Sequence, residues 1–449
     1  MILICTIFLA GIIAAVIFCK PYLGIAFVIL SIPFEGRIDL GFISIYPLEA
    51  ILAIFGLICI YKLIDRRENC FRNTKLMYCC IPFVLCIMLS AVKSIDYSLT
   101  VKEIVRWLEL FMIYYLTINL INDEKKMRMI LYSIFLTVAV VSMCSLATWL
   151  WLGIVNYLST GVEITTSKSN LPPSTFLGHR AISFFGNSNP LAGYVNLIIP
   201  VLFGMLMTSA SLWERSTLVI ITILSFMTWC FTYSRVAWMS LALTMVLLIF
   251  QTKAKKRGTL FLAIFFAILV TAFLIPDVRD NFIDRTKLQN LQYVLKHRAT
   301  CYTVGYDLLK DDFILGIGVG NYPFIFKKFV YSDPSLIWRF VHYDNSLMLT
   351  HLHSLYLQIF VETGFLGLSA FIFWLVCIVK YLVSSLKSLE NSRHYWLFVG
   401  LVGGVIVYLF NNLTDVLVVH GIHLQWGIIL GLAVVLIQFR ESEKWPETV

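Results

Sequence analysis

The sequence predicts an all-α polytopic membrane protein of 12–13 transmembrane helices with a large extracytoplasmic segment between the late spans. Three observations carry that reading. Of 449 residues, 59% are hydrophobic and only 14% charged, with a mean hydropathy of +0.84, which leaves too little polar surface for a soluble globule of this length. The apolar residues fall into runs about 20 long, the length of helix that crosses about 30 Å of hydrocarbon. Basic residues gather in short connections between those runs instead of covering a surface.

Taken in order, the predicted spans are 2–19, 22–34, 47–61, 76–92, 104–121, 129–153, 191–209, 216–232, 236–251, 259–275, 353–379, 395–411 and 422–438, each bounded by charge or by Pro and Gly. The second is short, hence the range in the count. The first twenty residues have neither the basic n-region nor the small-residue cleavage site of a secretory signal, so they read as an uncleaved first span.

Five basic residues lie between Lys62 and Lys75, three between Lys125 and Arg128, four between Lys253 and Arg257, and three between Lys380 and Arg393. Walking the spans in order puts all four groups on one side, which the positive-inside rule makes cytoplasmic, together with the C-terminus. The net charge of +9 is therefore a topology signal rather than a nucleic-acid footprint.

The opposite face holds two long polar segments, residues 156–189 and 276–350. The second carries nine Lys/Arg balanced by eight Asp, and at about 75 residues it is too long for a mere connector. The chain then divides into N-terminal spans (1–153), central spans with the outer loop 156–189 (154–275), an extracytoplasmic helical segment (276–350), and C-terminal spans with a cytoplasmic tail (351–449). The working surface is expected outside. "GIGVGN", Gly316 to Asn321, superficially resembles a phosphate-cradling loop, but it follows no strand and has no βαβ context, so it reads as a tight bend. Eleven cysteines lie almost all in apolar runs without zinc-type spacing, and read as soft apolar filler.

Several polar groups stand where burying them is expensive. "CFTYSRVAWMS" joins two spans through almost no loop and puts Arg235 at the outer membrane edge, against the charge trend; it is either a functional group or an arginine snorkelling to the interface. In "LQYVLKHRATCYTVGYDLL", Leu291, Val294, Cys301, Gly305 and Leu308 recur at helical spacing, with Arg298 in the middle of that stripe. As a structural ion pair Arg298 needs an acid nearby; as an anion clamp it needs a ligand. In "HLHSLYLQIFVETGFLGL", a helix beginning near His351 would place His351, Ser354, Gln358 and Glu362 on one face. His353 then points elsewhere unless it lies at or before the first turn, and periodicity does not choose between the histidines. "HRAISFFGNSNPLAGY" brings Arg180, Asn187 and Asn189 to the start of a span, through turn chemistry or as amides offered to a sugar. Asp415 also falls near an outer span end and receives no role.

Together these segments resemble the bacterial O-antigen ligase and polymerase family. The resemblance is carried by "RAISFFGNSNPLAGY", "YSRVAW", "HRATCYTVGYDLLKDDFILGIGVGNY" and "HLHSLYLQIFVETGFLGL", in the family's order over roughly residues 180–370; the earlier spans match only in general character. It implies a metal-independent, cofactor-free inverting glycosyltransferase of cell-surface polysaccharide synthesis, such as lipopolysaccharide or capsule. Such an enzyme works at the outer face of the bacterial cytoplasmic membrane and passes a glycan from undecaprenyl diphosphate to an acceptor hydroxyl on a glycan or lipid. Arg235 matches the family's arginine in the short loop, Arg298 the one in the large loop, and His353 the histidine opening the following span. Those three are the expected catalytic residues; Arg180, Asn187, Asn189, His351, Gln358 and Glu362 are expected to bind substrate. The chain departs from the pattern in having Ser354 where the family usually has Asn, and in its second histidine, His351.

The chemistry fits the layout. Negative charge accumulates on the departing diphosphate, and arginine, always charged and bidentate toward phosphate, is suited to hold it. A neutral histidine is a suitable general base for the acceptor. The rival reading is a transporter or flippase for a lipid-linked or anionic substrate, but no internal symmetry is evident and the candidate groups sit at one face rather than at mid-depth. A noncatalytic envelope scaffold would not need the arginines and histidine. Polymerase and ligase share this chemistry, and the choice between them stays open.

Overall fold

The computed structural model describes residues 2–34, 38–39, 44–45, 47–65, 74–159, 180–209, 211–251, 270, 273–274, 279–280, 283, 287–332 and 351–441. The predicted span 259–275 lies almost wholly outside them. Apart from a two-residue antiparallel ladder pairing Ile38 with Ile45, the regular structure of the described residues is helical. In chain order the helices are α1 (Ile2–Cys19), α2 (Tyr22–Ser31), α3 (Pro47–Ile64), α4 (Lys75–Ser90), α5 (Tyr97–Leu120), α6 (Glu124–Ser159), α7 (Ser188–Thr208), α8 (Leu212–Phe231), α9 (Arg235–Gln251), α10 (Leu288–Asp311), α11 (Tyr322–Ser332), α12 (Leu355–Ser388), α13 (Tyr395–Asn411) and α14 (Ile422–Glu441).

Among the described residues, seven helical stretches are long and apolar enough to cross a membrane: Pro47–Ile64, Lys75–Lys93, Glu124–Leu152, Ser188–Thr208, Leu212–Phe231, Leu355–Ser388 and Ile422–Glu441. Four shorter apolar helices, Ala10–Cys19, Tyr22–Ser31, Arg235–Leu248 and Tyr395–Asn411, coincide with further predicted spans. The helix α5 starts earlier than its predicted span, because Asp96 caps it by accepting the Ser98 and Leu99 amides at 2.9 and 3.2 Å. It carries Lys102, Glu103, Arg106 and Glu109, an unusual charge load for a helix long enough to span.

The core is built by close helix packing. The helices α7 and α13 approach so tightly that a Cβ on Gly400 would run into the Pro200 carbonyl, and one on Gly404 would stand 2.7 Å from the Leu197 carbonyl oxygen. In a bilayer, where hydrocarbon is as apolar as leucine, such backbone-to-backbone contact is a principal source of association. Gly400→Leu is therefore expected to push the two helices apart, at a cost of at least roughly 1–3 kcal/mol, and to lower both the yield of folded protein and its melting temperature in detergent.

The polar connections sort onto two faces. On one, Glu124 at the start of α6 pairs with Arg393 before α13 and with Arg128 at 3.2 Å, while Arg128 reaches Glu214 of α8 at 3.5 Å. Tyr132 and Ser209 complete the Glu214 shell at 2.6 and 2.7 Å. His394 is buried in this network and accepts a hydrogen bond from Arg393 Nε at 2.7 Å. Burial, with the Arg393 and Arg128 charges, lowers its pKa from 6.5 to about 3. The unfolded chain therefore binds a proton in that window that the folded chain does not, so stability is present above about pH 6.5 and falls on acidification toward about pH 3. Moving from about pH 7.5 to about pH 5 is expected to remove about 2 kcal/mol through this group. The resulting drop in melting temperature should be smaller in His394→Gln than in the unsubstituted protein.

The other face gathers the turns after α4, between α8 and α9, before α7, before α12 and between α13 and α14. Here "GIGVGN" is a bend, as expected, with Gly316, Gly318 and Gly320 at positive φ. It serves as a seat for α12. The Ile317 and Gly318 amides donate to the Val361 and Glu362 carbonyls at 3.0 Å each, and Phe365 donates to the Phe313 carbonyl at 2.9 Å. At that point α12 breaks at Gly364, with φ 68° and ψ −169°, where a Cβ would strike the Ile314 carbonyl. Asn321 then fastens the bend to the turn before α5, accepting from the Asp96 amide at 2.8 Å and donating to Thr100 at 2.9 Å. The large polar segment is thus locked onto the membrane bundle at the level where α12 begins.

Candidate functional site

The site face is assembled from three loops and one extramembrane helix. The first loop precedes α7. Arg180 donates through Nε to the Thr232 carbonyl at 2.7 Å and through a terminal nitrogen to the Asn189 side chain at 2.6 Å, and the Ala181 amide donates to the Phe231 carbonyl at 2.9 Å. Arg180 therefore staples the start of α7 to the turn between α8 and α9. Asn187 caps α7, accepting from the Asn189 amide at 3.0 Å, so turn and capping chemistry accounts for this motif's geometry. Across that staple, Tyr233 takes a left-handed backbone (φ 50°) and Arg235, half-buried, opens α9. The near-absence of a loop here agrees with the expectation.

The second and third loops meet at the start of α12. Of the two alternatives for α12, the one that leaves His353 before the first turn holds: Ser354 is the N-cap, accepting from the Leu357 amide at 3.4 Å, and the helix begins at Leu355, two residues after the predicted start of the span. His351 therefore does not share a helical face with Gln358 and Glu362. Both histidines lie in the non-helical approach, with His353 in left-handed conformation (φ 47°) and the two rings 5.9 Å apart, edge to face. The Leu355 amide is shared between the Asn412 and Asp415 carbonyls, each at 3.0 Å. That fork joins the histidine segment to the turn between α13 and α14.

The helix α10 brings in Arg298. Its stripe was read correctly where it is described: Cys301 is fully buried, and Gly305 packs where a Cβ would meet Leu352 at 2.9 Å and Val361 at 3.1 Å. Tyr322 donates to the Cys301 carbonyl at 2.9 Å, tying α11 to α10. Burial pushes the Cys301 thiol up to about 12, so it behaves as filler. The side chains of Leu291 and Val294 lie outside the described residues. Arg298, half-buried, is one turn before Cys301, on the stripe whose Gly305 seats on Leu352.

Asp415 is the common neighbour. Burial raises its carboxyl above the usual aspartate range; the Val416 amide, at 2.9 Å, and the charges of His351, Arg298 and Arg180 oppose that rise. His351 is pulled the other way. Burial lowers its pKa below 6.5, the Asp415 charge opposes the fall, and Arg106 and His420 add to it. The charges of Arg180, Arg298 and His351 thus all act on one carboxylate, His353 stands beside His351, and Arg235 lies three residues beyond the carbonyl that Arg180 holds. Gln358 and Glu362 are not part of this cluster. They face a separate cleft with Phe83, Glu103, Trp107 and Ile359; Gln358 donates to Glu362 at 3.4 Å, and the Tyr322 amide does the same at 3.4 Å.

Reasoning from sequence left Asp415 without a role and did not consider Arg106, His420 or Asn412. One signal pointed to Asp415: an arginine in a half-buried stripe needs an acid, and Asp415 is an acid at a membrane edge on the same face. Among the described residues, no group of three or more His, Cys, Asp or Glu side chains is placed to hold a metal ion.

Fold and site define a polytopic α-helical membrane protein that collects arginines and histidines around one acid where its loops meet an extramembrane helix. Residues 220–372 match the model of the O-antigen ligase family, and that match supports the family resemblance carried by the sequence motifs. The matched stretch runs from α8 into α12 and contains Arg235, Arg298, His351 and His353; Arg180, Asn187, Asn189 and Asp415 fall outside it. No curated protein matches the chain.

Proposed function

We propose that the protein is an inverting glycosyltransferase of cell-surface polysaccharide synthesis. On this reading it moves a glycan from undecaprenyl diphosphate to an acceptor hydroxyl at the outer face of the bacterial cytoplasmic membrane. The observation that carries the reading is that the charges of Arg298, Arg180 and His351 all act on Asp415, with the His353 ring against that of His351, within and beside the segment that matches the O-antigen ligase family.

Breaking the sugar to phosphate bond leaves charge on the diphosphate. Arg298 and Arg235 receive it, in place of a metal, through fixed guanidinium donors. Arg235 opens α9, where the helix dipole is already positive, so cation and dipole both favour an anion there. Arg180 holds that turn in place and contributes charge. His353, on the strained approach to α12, takes the acceptor's proton. Asp415 orients His351 and compensates the crowd of cations while the site is free of substrate. Asn187 and Asn189 border the space for sugar.

Purified protein in nanodiscs, given undecaprenyl-diphosphate glycan with and without a chelator, is expected to transfer glycan equally in both. Product length then separates a polymerase, which extends its own substrate, from a ligase, which labels a second acceptor. Absence of any glycosyl transfer, together with vectorial movement of the lipid-linked glycan across the bilayer, would replace this reading by a flippase.

A further inference from the structure

Arg106 lies within α5, nine residues past Tyr97 and so roughly 14 Å along the helix from its start on the site face. The helices α5 and α14 run parallel, both starting on the site face. Gly431 packs against Thr117, with a Cβ there 2.7 Å from the threonine side chain, and Gly427 packs against Leu110 and Ile113 at 2.9 and 3.0 Å. One turn nearer the site face, the same register sets His423 beside Arg106, whose charge acts on it and also on His351. His423 is 4% exposed, and neither of its ring nitrogens has a hydrogen-bond partner among the described residues. Arg106 donates to Glu103 at 2.9 Å, yet 35% of its side chain stays exposed. A buried imidazole with both nitrogens unsatisfied is expensive unless a polar group comes to it.

We propose that Arg106 and His423 form a phosphoryl subsite on the lipid side of the Asp415 cluster, taking the phosphate that bears the polyprenyl chain, while Arg298 and Arg235 take the phosphate that bears the sugar. The inference rests on the glycosyl-transfer reading and deepens it. The two phosphates of such a donor lie in line from lipid to sugar, so a cation recessed along α5 meets the first. A neutral imidazole donates one hydrogen bond to a phosphate oxygen, and the guanidinium supplies charge. Because the lipid-bearing phosphate keeps its bond to the chain throughout the reaction, this contact is present in ground and transition states alike. It governs KM for the donor more than kcat.

The test uses full-length protein in zwitterionic nanodiscs, titrated with a polyprenyl monophosphate and a polyprenyl diphosphate of the same chain. Arg106→Ala is expected to weaken both ligands by about tenfold or more, whereas Arg298→Ala weakens the diphosphate alone; in turnover, Arg106→Ala raises donor KM by a similar factor with kcat nearly unchanged. An Arg106→Ala variant that binds both ligands as the unsubstituted protein does, or that loses the diphosphate only, overturns the subsite. So does competition by phosphatidylglycerol at equal mole fraction, which would assign the pocket to bulk headgroups. If Arg106→Ala does not fold, His423→Phe is read in the same way. Unsubstituted protein that binds neither ligand refutes the lipid-carrier reading itself, which is a different result from loss in the variant alone.

Discussion

Arg298→Ala is expected to insert, fold and lose glycan transfer by about 10²- to 10³-fold, the size of effect seen when one donor to a developing oxyanion is removed. The fold should survive, because the contacts that fix α10 belong to Cys301, Gly305 and the Tyr322 hydroxyl rather than to Arg298. What goes is a half-buried cation whose charge acts on Asp415. Lysine at this position restores charge but not the two-pronged geometry, so Arg298→Lys should recover only part of the rate. The measurement is single-turnover transfer by reconstituted protein, with insertion checked by resistance to alkaline extraction. Transfer at the unsubstituted rate by an inserted Arg298→Ala protein would remove leaving-group stabilisation from α10.

The membrane spans were legible because a bilayer imposes length and hydropathy on any helix that crosses it. Each predicted span among the described residues coincides with a helix, and the motifs from Arg180 to Gly364 fall on the same face. Boundaries were less legible, and for local reasons. Hydropathy opened the span of α12 at 353 and periodicity left a start near His351 open, while the hydroxyl of Ser354 caps the helix and leaves both histidines outside it. A capping rule read against the periodicity would have found that start. Asp415 was hidden for a different reason. It lies 117 residues from Arg298 and 235 from Arg180, and tertiary contacts, the Leu355 fork onto the Asn412 and Asp415 carbonyls and Phe185 against His420, bring those parts of the chain together. The break at Gly364 was hidden too, since its cause is the 313–318 strap rather than anything in α12 itself.

The second large effect concerns the histidines. His353→Ala is expected to lower transfer by about 10²- to 10⁴-fold, the usual contribution of a general base. His351→Ala should lower it less. The two residues differ in what surrounds them: His351 shares its carboxylate with Arg298 and Arg180, whereas His353 holds a left-handed backbone (φ 47°) at the last position before the cap. Strain of that kind persists where the surroundings force a side chain into one place, and histidine tolerates it better than most residues. The His351 ring packs edge-on against that of His353 and, facing Asp415, can stabilise positive charge as it forms on its neighbour. Three variants are therefore ordered in transfer rate: His353→Ala slowest, Asp415→Asn intermediate because Arg298, Arg180 and His351 lose the charge that balances theirs, and His351→Ala fastest. If His351→Ala proves the slowest of the three while His353→Ala turns over normally, the proton goes to the histidine paired with Asp415, and the geometry is that of an acid-oriented base.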